Sequence, residues 1–167
     1  LNASGTLSRC GHMIGAPEFA TIQELDSSEW LSGIVKKFEN NQWPAECIRC
    51  QKSEAVGEKS IREYALNEWS KPLARVDYLQ VGGVLDNVCN SACLTCNEQL
   101  STKIGSLTSK TYPIIDNSNA FWSLPLERVV HLDINGGEPA ASKNYRNLLK
   151  NIPASVQSIR INTNCIE

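Results

Sequence analysis

Three cysteines, Cys89, Cys93 and Cys96, fall within eight residues directly after an extended run, in the spacing C-x3-C-x2-C. No other feature limits this chain so sharply, because three thiols so close together read first as a ligand set. Four more cysteines stand at Cys10, Cys47, Cys50 and Cys165, making seven in all. An odd number does not close into a secreted disulfide framework, and Cys10, Cys47 and Cys50 make a second group. Thiols kept as metal ligands need a reducing compartment, so a cytoplasmic location is expected. Three thiolates on one short loop suit a corner of an iron–sulfur cube, with one iron left open to a small molecule. Structural zinc, which wants a fourth ligand, is the alternative on these residues alone.

The segments around the triplet predict the architecture. Tyr78 to Asp86, Val129 to Asn135 and Ser158 to Asn164 read as strands. A helix is expected from Asn144 to Asn151, between Pro139 and Pro153, and another from Glu98, ahead of a polar stretch through Thr111, Tyr112 and Pro113. Strand and helix in alternation predict an α/β fold with a parallel sheet, about three βα units long. His131, Asp133 and Asn135 alternate with apolar neighbours, and Arg160, Asn162 and Asn164 do the same. Polar residues on one face of successive strands suit a barrel-like lumen that binds something, with edge strands as the alternative reading.

Before this stretch the pattern is different. Leu1-Asn2-Ala3 and Thr6 to Arg9 flank Ser4-Gly5, so residues 1 to about 20 predict a short hairpin. A helix is expected from Asp26-Ser27-Ser28-Glu29, with Trp30, Ile34, Val35 and Phe38 as its buried stripe and Asn40, Asn41 and Pro44 as its end. Cys47 and Cys50 then lie in an expected loop. A second helix follows from Glu58 to Trp69, with Ile61, Ala65 and Trp69 on one face and Tyr64 alongside. The change of texture at Leu73 divides the chain into 1–72, a small α+β cysteine module, and 73–167.

Composition narrows the partners. Sixteen Lys and Arg against eighteen Asp and Glu leave a net charge of −2, with the basic residues scattered, so neither nucleic acid nor an anionic membrane is an expected partner. No run approaches the roughly 18–20 apolar residues of a membrane span, and no signal peptide is visible. The chain opens on Leu1 rather than Met, so its natural beginning is expected upstream.

A second motif, Gly136-Gly137-Glu138-Pro139, ends the second predicted strand, where ligands collect in parallel α/β folds. Alone it reads equally well as a βα turn in which Pro opens a helix. Together, Cys89/Cys93/Cys96 after one strand and Gly136 to Pro139 after the next resemble the radical S-adenosylmethionine (SAM) superfamily. That resemblance implies a 4Fe-4S cluster on Cys89, Cys93 and Cys96, with SAM chelated at the open iron. Gly136, Gly137 and Glu138 would cradle the amino group of SAM. Reductive cleavage of SAM would give a 5′-deoxyadenosyl radical that abstracts a substrate hydrogen. Asn162-Thr163-Asn164 is similar to a Thr-Asn-Gly pattern of that superfamily, which adds Asn162 to the expected cofactor residues. Cys165 replaces the glycine and is expected to be a packed small residue. Thr95 stands where a bulky or aromatic residue is usual.

Gly5, Cys10, the Trp30–Phe38 helix and Trp43 to Cys50 resemble a SPASM or twitch domain, as do Glu54, Gly57, Lys59, Ser60 and Arg62. This resemblance implies an auxiliary 4Fe-4S cluster on Cys10, Cys47 and Cys50, in front of the core rather than behind it. Zinc is the alternative, since His12 with the same three cysteines makes a Cys3His set. The expectation is therefore an α/β protein, a partial radical SAM barrel of about three βα units behind a small cysteine module. Its expected substrate is a peptide or protein side chain, and its expected electron donor is a flavodoxin or ferredoxin. A radical SAM enzyme acting on a small molecule, or a non-catalytic zinc-binding module, are the alternatives. A complete core uses six βα units by the same resemblance, so this chain is expected to be part of a longer enzyme.

Overall fold

The computed structural model describes residues 1–69, 78–110 and 112–165, with the side chains of Glu68 and Trp69 left aside. The expected boundary after residue 72, Leu73, Thr111 and the side chain of Trp69 lie outside the described residues. The chain forms two compact units, Leu7–Tyr78 and Leu1–Thr6 with Leu79–Glu167.

The Leu7–Tyr78 unit is helical. A one-turn helix α1 (Ile22–Asp26) precedes α2 (Glu29–Glu39). Ser28 caps α2 by accepting from Leu31 N, as the Asp26–Glu29 start signal predicts. Ile34 is buried and Trp30 half-buried against Phe19, at 6.2 Å between ring centroids. Val35 and Phe38, expected in the same buried stripe, are exposed. The helix stops at Asn40, Asn41 takes a left-handed φ of 55°, and the returning chain brings only Trp43 to the Phe38 ring, edge-on at 5.9 Å.

The expected loop at Cys47 and Cys50 is helical instead. Pro44, with φ at −62°, opens a 3-10 turn over Ala45–Cys47 that runs straight into α3 (Ile48–Ala55). Cys47 and Cys50 therefore lie three apart at the start of α3, on neighbouring turns. α4 (Ile61–Trp69) starts three residues later than predicted because Ser60 and Glu63 form a capping box. Glu63 N donates to Ser60 Oγ and Ser60 N to Glu63 Oε2, each at 3.2 Å. Ile61 and Tyr64 on the predicted apolar face are exposed.

The second unit is a mixed α/β layer. Strands β1 (Leu79–Val84), β2 (Val129–Asn135) and β3 (Ser158–Ile161) form a parallel sheet in the order β1-β2-β3. α5 (Thr102–Thr108) and α6 (Ser118–Trp122) lie between the first two strands, and α7 (Lys143–Lys150) between the last two. The helix expected from Glu98 waits until Thr102. Asn97 Oδ1 accepts from Gln99 N and Leu100 N at 3.0 and 3.1 Å, a local turn that competes with helix. Ser101 then supplies the cap.

The expected hairpin is reduced to one turn. Asn2 N donates to Thr6 O at 2.8 Å around Gly5, whose φ is +83°, and beyond it only a single antiparallel bridge, Leu7 with Phe19, forms in place of paired strands. Leu1 lies alongside β1, its amino group donating to Gly82 O at 2.7 Å while Val84 N donates back at 3.1 Å. An unpaired edge offers more backbone partners than a three-residue arm can.

The sheet is one-sided. Val130, Leu132 and Ile134 are buried, along with Val81 on β1, while Phe121, Tyr145 and Leu148 from the helices complete that core. His131, Asp133 and Asn135 on the opposite face of β2 are half-buried. Their register neighbours on β3 are Ser158 and Arg160. His131 Nδ1 lies 2.5 Å from Ser158 Oγ, Arg160 pairs with Asp133 through two nitrogens, and Asn162 Nδ2 donates to Asn135 Oδ1. β2 is the central strand, so its polar face is not explained by an edge position. Among the described residues no helix is long and apolar enough to cross a membrane.

Candidate metal centre

The C-x3-C-x2-C loop leaves β1 through Leu85, Asp86 and Asn87, all 1% exposed. Asn87 fixes the loop at its base. Its amide nitrogen donates to Gln99 O at 3.0 Å and Pro113 O at 3.2 Å, and its amide oxygen accepts from Ile115 N at 2.9 Å. Thr102 ties the first cysteine, accepting from Cys89 N at 3.0 Å and donating to Cys89 O at 3.1 Å. Ser101 Oγ donates to Ser91 O at 2.9 Å. Between these anchors the loop turns outward: Cys93 and Cys96 are exposed, Cys89 half-buried, and Leu94 at the tip is fully exposed.

The Gly136–Pro139 loop follows β2. Gly136 and Gly137 have φ of 87° and 58°, conformations that side chains rarely adopt. They are also packed against the exit of β1. A Cβ on Gly136 would lie 2.7 Å from Asp86 O, and one on Gly137 would lie 2.5 Å from Val88 O. The two glycines thus allow close approach to the chain's own backbone. Tyr145 Oη donates to Asn135 O at 2.7 Å and Gly136 O at 3.0 Å, holding that turn from α7. Burial pushes the Tyr145 phenol well up, with Asp86 and Glu138 adding to it. Burial likewise pushes Asp86 up, against hydrogen bonds from Ser142 Oγ and Val88 N. Ser142 in turn caps α7, accepting from Asn144 N and Tyr145 N.

Glu138, 2% exposed, joins the loops. Its backbone N–H donates to Val88 O at 2.7 Å. Its carboxylate accepts from Ala140 N at 3.1 Å, Thr163 Oγ1 at 2.5 Å and Asn164 N at 2.8 Å. The Asn164 amide then donates to Asn90 Oδ1 at 3.0 Å and Ser91 Oγ at 2.5 Å, inside the cysteine loop. The segments leaving three consecutive parallel strands are therefore hydrogen-bonded into one platform. The strand expected to reach Asn164 ends at Ile161 because Asn162, Thr163 and Asn164 turn their side chains into this network. Pro139 is buried behind Glu138, and Asn162 is exposed. Cys165, expected as a packed small residue, is instead exposed, in a left-handed turn at φ 58°.

Burial pushes the Glu138 carboxyl up, but the donors from Asn164, Thr163 and Ala140 outweigh it and hold the group below its ordinary 4.5. A carboxylate depressed in the folded state stabilises fully above its unfolded pKa, and that stabilisation is lost as pH falls through the folded value. Acid unfolding of this unit, followed by circular dichroism, is expected to set in as pH drops below 4.5. Glu138→Gln is expected to be less stable at neutral pH and flatter through roughly pH 5 to 3. A variant whose acid limb matches the parent would contradict this role.

In the helical unit, burial pushes the Cys47 thiol up, with the neighbouring Cys10 and Cys50 thiols adding to the effect. Ile14 N donates to Glu46 O at 2.9 Å, which holds the segment after Cys10 against the Cys47 turn. Glu54 accepts from Ser60 Oγ at 2.5 Å and from Arg62 Nε at 3.0 Å, and Arg62 lies over the Trp43 ring at 4.9 Å. The Arg62 hydrogen bond and charge hold the Glu54 carboxyl below its usual range. Glu54, Ser60 and Arg62 thereby rivet the end of α3 to the start of α4. His12 is exposed, and its backbone N–H points to Cys10 Sγ at 3.4 Å.

All seven cysteines are free thiols. Among the described residues no three His, Cys, Asp or Glu side chains are gathered as a ready metal site. The donor chemistry of the cysteine loop nonetheless fits an iron–sulfur cluster: three soft, unbridged thiols on a segment pinned at both ends and open between. Sequence reasoning missed Asp86, Asn87, Ser101, Thr102, Ser142 and Tyr145, which build the platform. A buried Asp-Asn pair closing an apolar strand, and a serine ahead of a helical run, were the available signals. Compared with known proteins, the chain matches no family model, no curated protein and no solved structure.

Proposed function

We propose that this chain carries part of a radical SAM core, with Cys89, Cys93 and Cys96 as ligands of a 4Fe-4S cluster. Gly136 and Gly137 line the position of the SAM amino group. The observation that supports this reading best is the hydrogen-bonded path from Glu138 through Asn164 to Ser91, which links the loops after β2, β3 and β1. Ligands of parallel α/β folds collect at that edge of the sheet.

When bound, the cluster and SAM supply one-electron cleavage and hydrogen abstraction. The chain's own residues position and shield. Asn87 and Thr102 hold the two ends of the cysteine loop. Glu138 and Asn164 keep the neighbouring loops against it. The polar face of the sheet, with His131–Ser158, Asp133–Arg160 and Asn135–Asn162, offers hydrogen-bonding groups to a substrate, which we take to be a peptide or protein side chain. Cys10, Cys47 and Cys50 hold an auxiliary cluster in the same proposal. A flavodoxin or ferredoxin in the cytoplasm supplies the electron.

The test is anaerobic. Chain reconstituted with iron and sulfide is expected to show a 4Fe-4S signal, and the full-length protein, reduced and incubated with SAM, to release 5′-deoxyadenosine. Stoichiometric zinc at both thiol groups, with no iron taken up, would overturn the reading.

A further inference from the structure

Among the described residues, one buried side-chain oxygen has no hydrogen-bond partner: Glu46 Oε2. A buried carboxylate oxygen left without a donor is unfavourable, so such an atom calls for an explanation. Its position supplies one. Glu46 directly precedes Cys47, and Cys50 follows one helical turn later. Its other oxygen accepts from Trp30 Nε1 at 2.9 Å, which ties the carboxylate to α2. Its backbone carbonyl accepts from Ile14 N at 2.9 Å, four residues beyond Cys10. Trp30 thus holds the carboxylate of the residue next to Cys47, and the same residue's backbone holds the Cys10 segment, with one carboxylate oxygen uncommitted.

We propose that Glu46 Oε2 is the fourth protein donor to the metal held by Cys10, Cys47 and Cys50. This rests on the reading of those three cysteines as metal ligands. The donor set is then three thiolates and one carboxylate, suited to zinc or to an iron of an auxiliary cluster, both of which accept oxygen beside sulfur. A cation at this point supplies the partner that no N–H or O–H of the described residues supplies. His12, the histidine nearest in sequence, is exposed and meets Cys10 through its backbone, and in this proposal Glu46 stands in its place as the fourth donor.

The test uses the full chain carrying Cys89→Ala, Cys93→Ala and Cys96→Ala, which leaves the Cys10, Cys47 and Cys50 set. Anaerobic Co2+ titration is followed by thiolate-to-cobalt charge transfer, with zinc competition for affinity. Glu46→Gln keeps the acceptor for Trp30 and removes the charge. It is expected to lower Co2+ affinity by about tenfold or more while keeping the thiolate bands, with His12→Ala binding like its parent. Unchanged affinity in Glu46→Gln, or a loss in His12→Ala instead, would overturn the proposal. Trp fluorescence and circular dichroism check that Glu46→Gln is folded. If it is not, Glu46→Asp, which keeps the charge but shortens the reach, is expected to weaken Co2+ binding, and parental affinity would count against the proposal. Absence of any thiolate band in the parent would instead sink the prior reading of the three cysteines, and the Glu46 role with it.

Discussion

Alanine at Cys89, Cys93 or Cys96 is expected to abolish the iron–sulfur cluster on the loop, together with any 5′-deoxyadenosine formed from SAM. In the proposed reading each cysteine supplies one of three ligands, and the loop offers no fourth thiol to stand in for it. The Cys93 and Cys96 variants are expected to leave the fold itself almost untouched. Both residues are exposed, and the loop is held by Asn87, Ser101 and Thr102 and by the contacts of Cys89 Sγ with Ser91. Their unfolding free energies should stay within about 0.5 kcal/mol of the parent, the range of ordinary surface substitutions. Iron and sulfide analysis beside denaturant unfolding reads both halves. A variant that keeps full cluster content would contradict the ligand assignment, and one that unfolds would contradict the anchoring.

Gly137→Ala is expected to destabilise the sheet unit strongly. At φ 58° an alanine is strained, and its Cβ would meet Val88 O at 2.5 Å and Asp86 Oδ1 at 2.8 Å. Backbone at Val88 cannot move without breaking the 2.7 Å bond that Glu138 N donates to it. Strain and overlap together should cost about 2–4 kcal/mol. Gly33→Ala, inside α2 with nothing within 4 Å of its Cβ, is expected to stabilise its own unit by about 0.5–1 kcal/mol. Urea unfolding of the two variants measures the contrast, and a neutral Gly137→Ala would show that the loops are not packed as described.

β2 is legible to the residue, Val129 to Asn135, because the six residues from Val130 alternate strictly and leave little choice of period or face. α7 is legible within one residue, and its cap Ser142 is a local signal too, whereas the tie of Ser142 to Asp86 spans 56 positions and is not. The start of α5 was misjudged because Asn97 diverts the first turn, a local competition that helix periodicity does not register. Cys47 and Cys50 read as loop although Pro44 is a good helix opener, because no side chain caps the turn and α3 buries no residue, which leaves no apolar stripe in the sequence. In the candidate site, the cysteines and Gly136 to Pro139 were visible through spacing. Asn87, Thr102 and Asn164 act through contacts 12 to 74 positions away, which spacing cannot show.

The central claim is that the loop thiols leave one iron of a 4Fe-4S cluster free for SAM. Mössbauer spectroscopy tests it most directly, on 57Fe-reconstituted chain carrying Cys10→Ala, Cys47→Ala and Cys50→Ala so that only the loop cluster contributes. The account predicts that one iron in four changes its signal when SAM is added. Four irons unaffected by SAM, or a chain that takes up zinc and no iron, would contradict it.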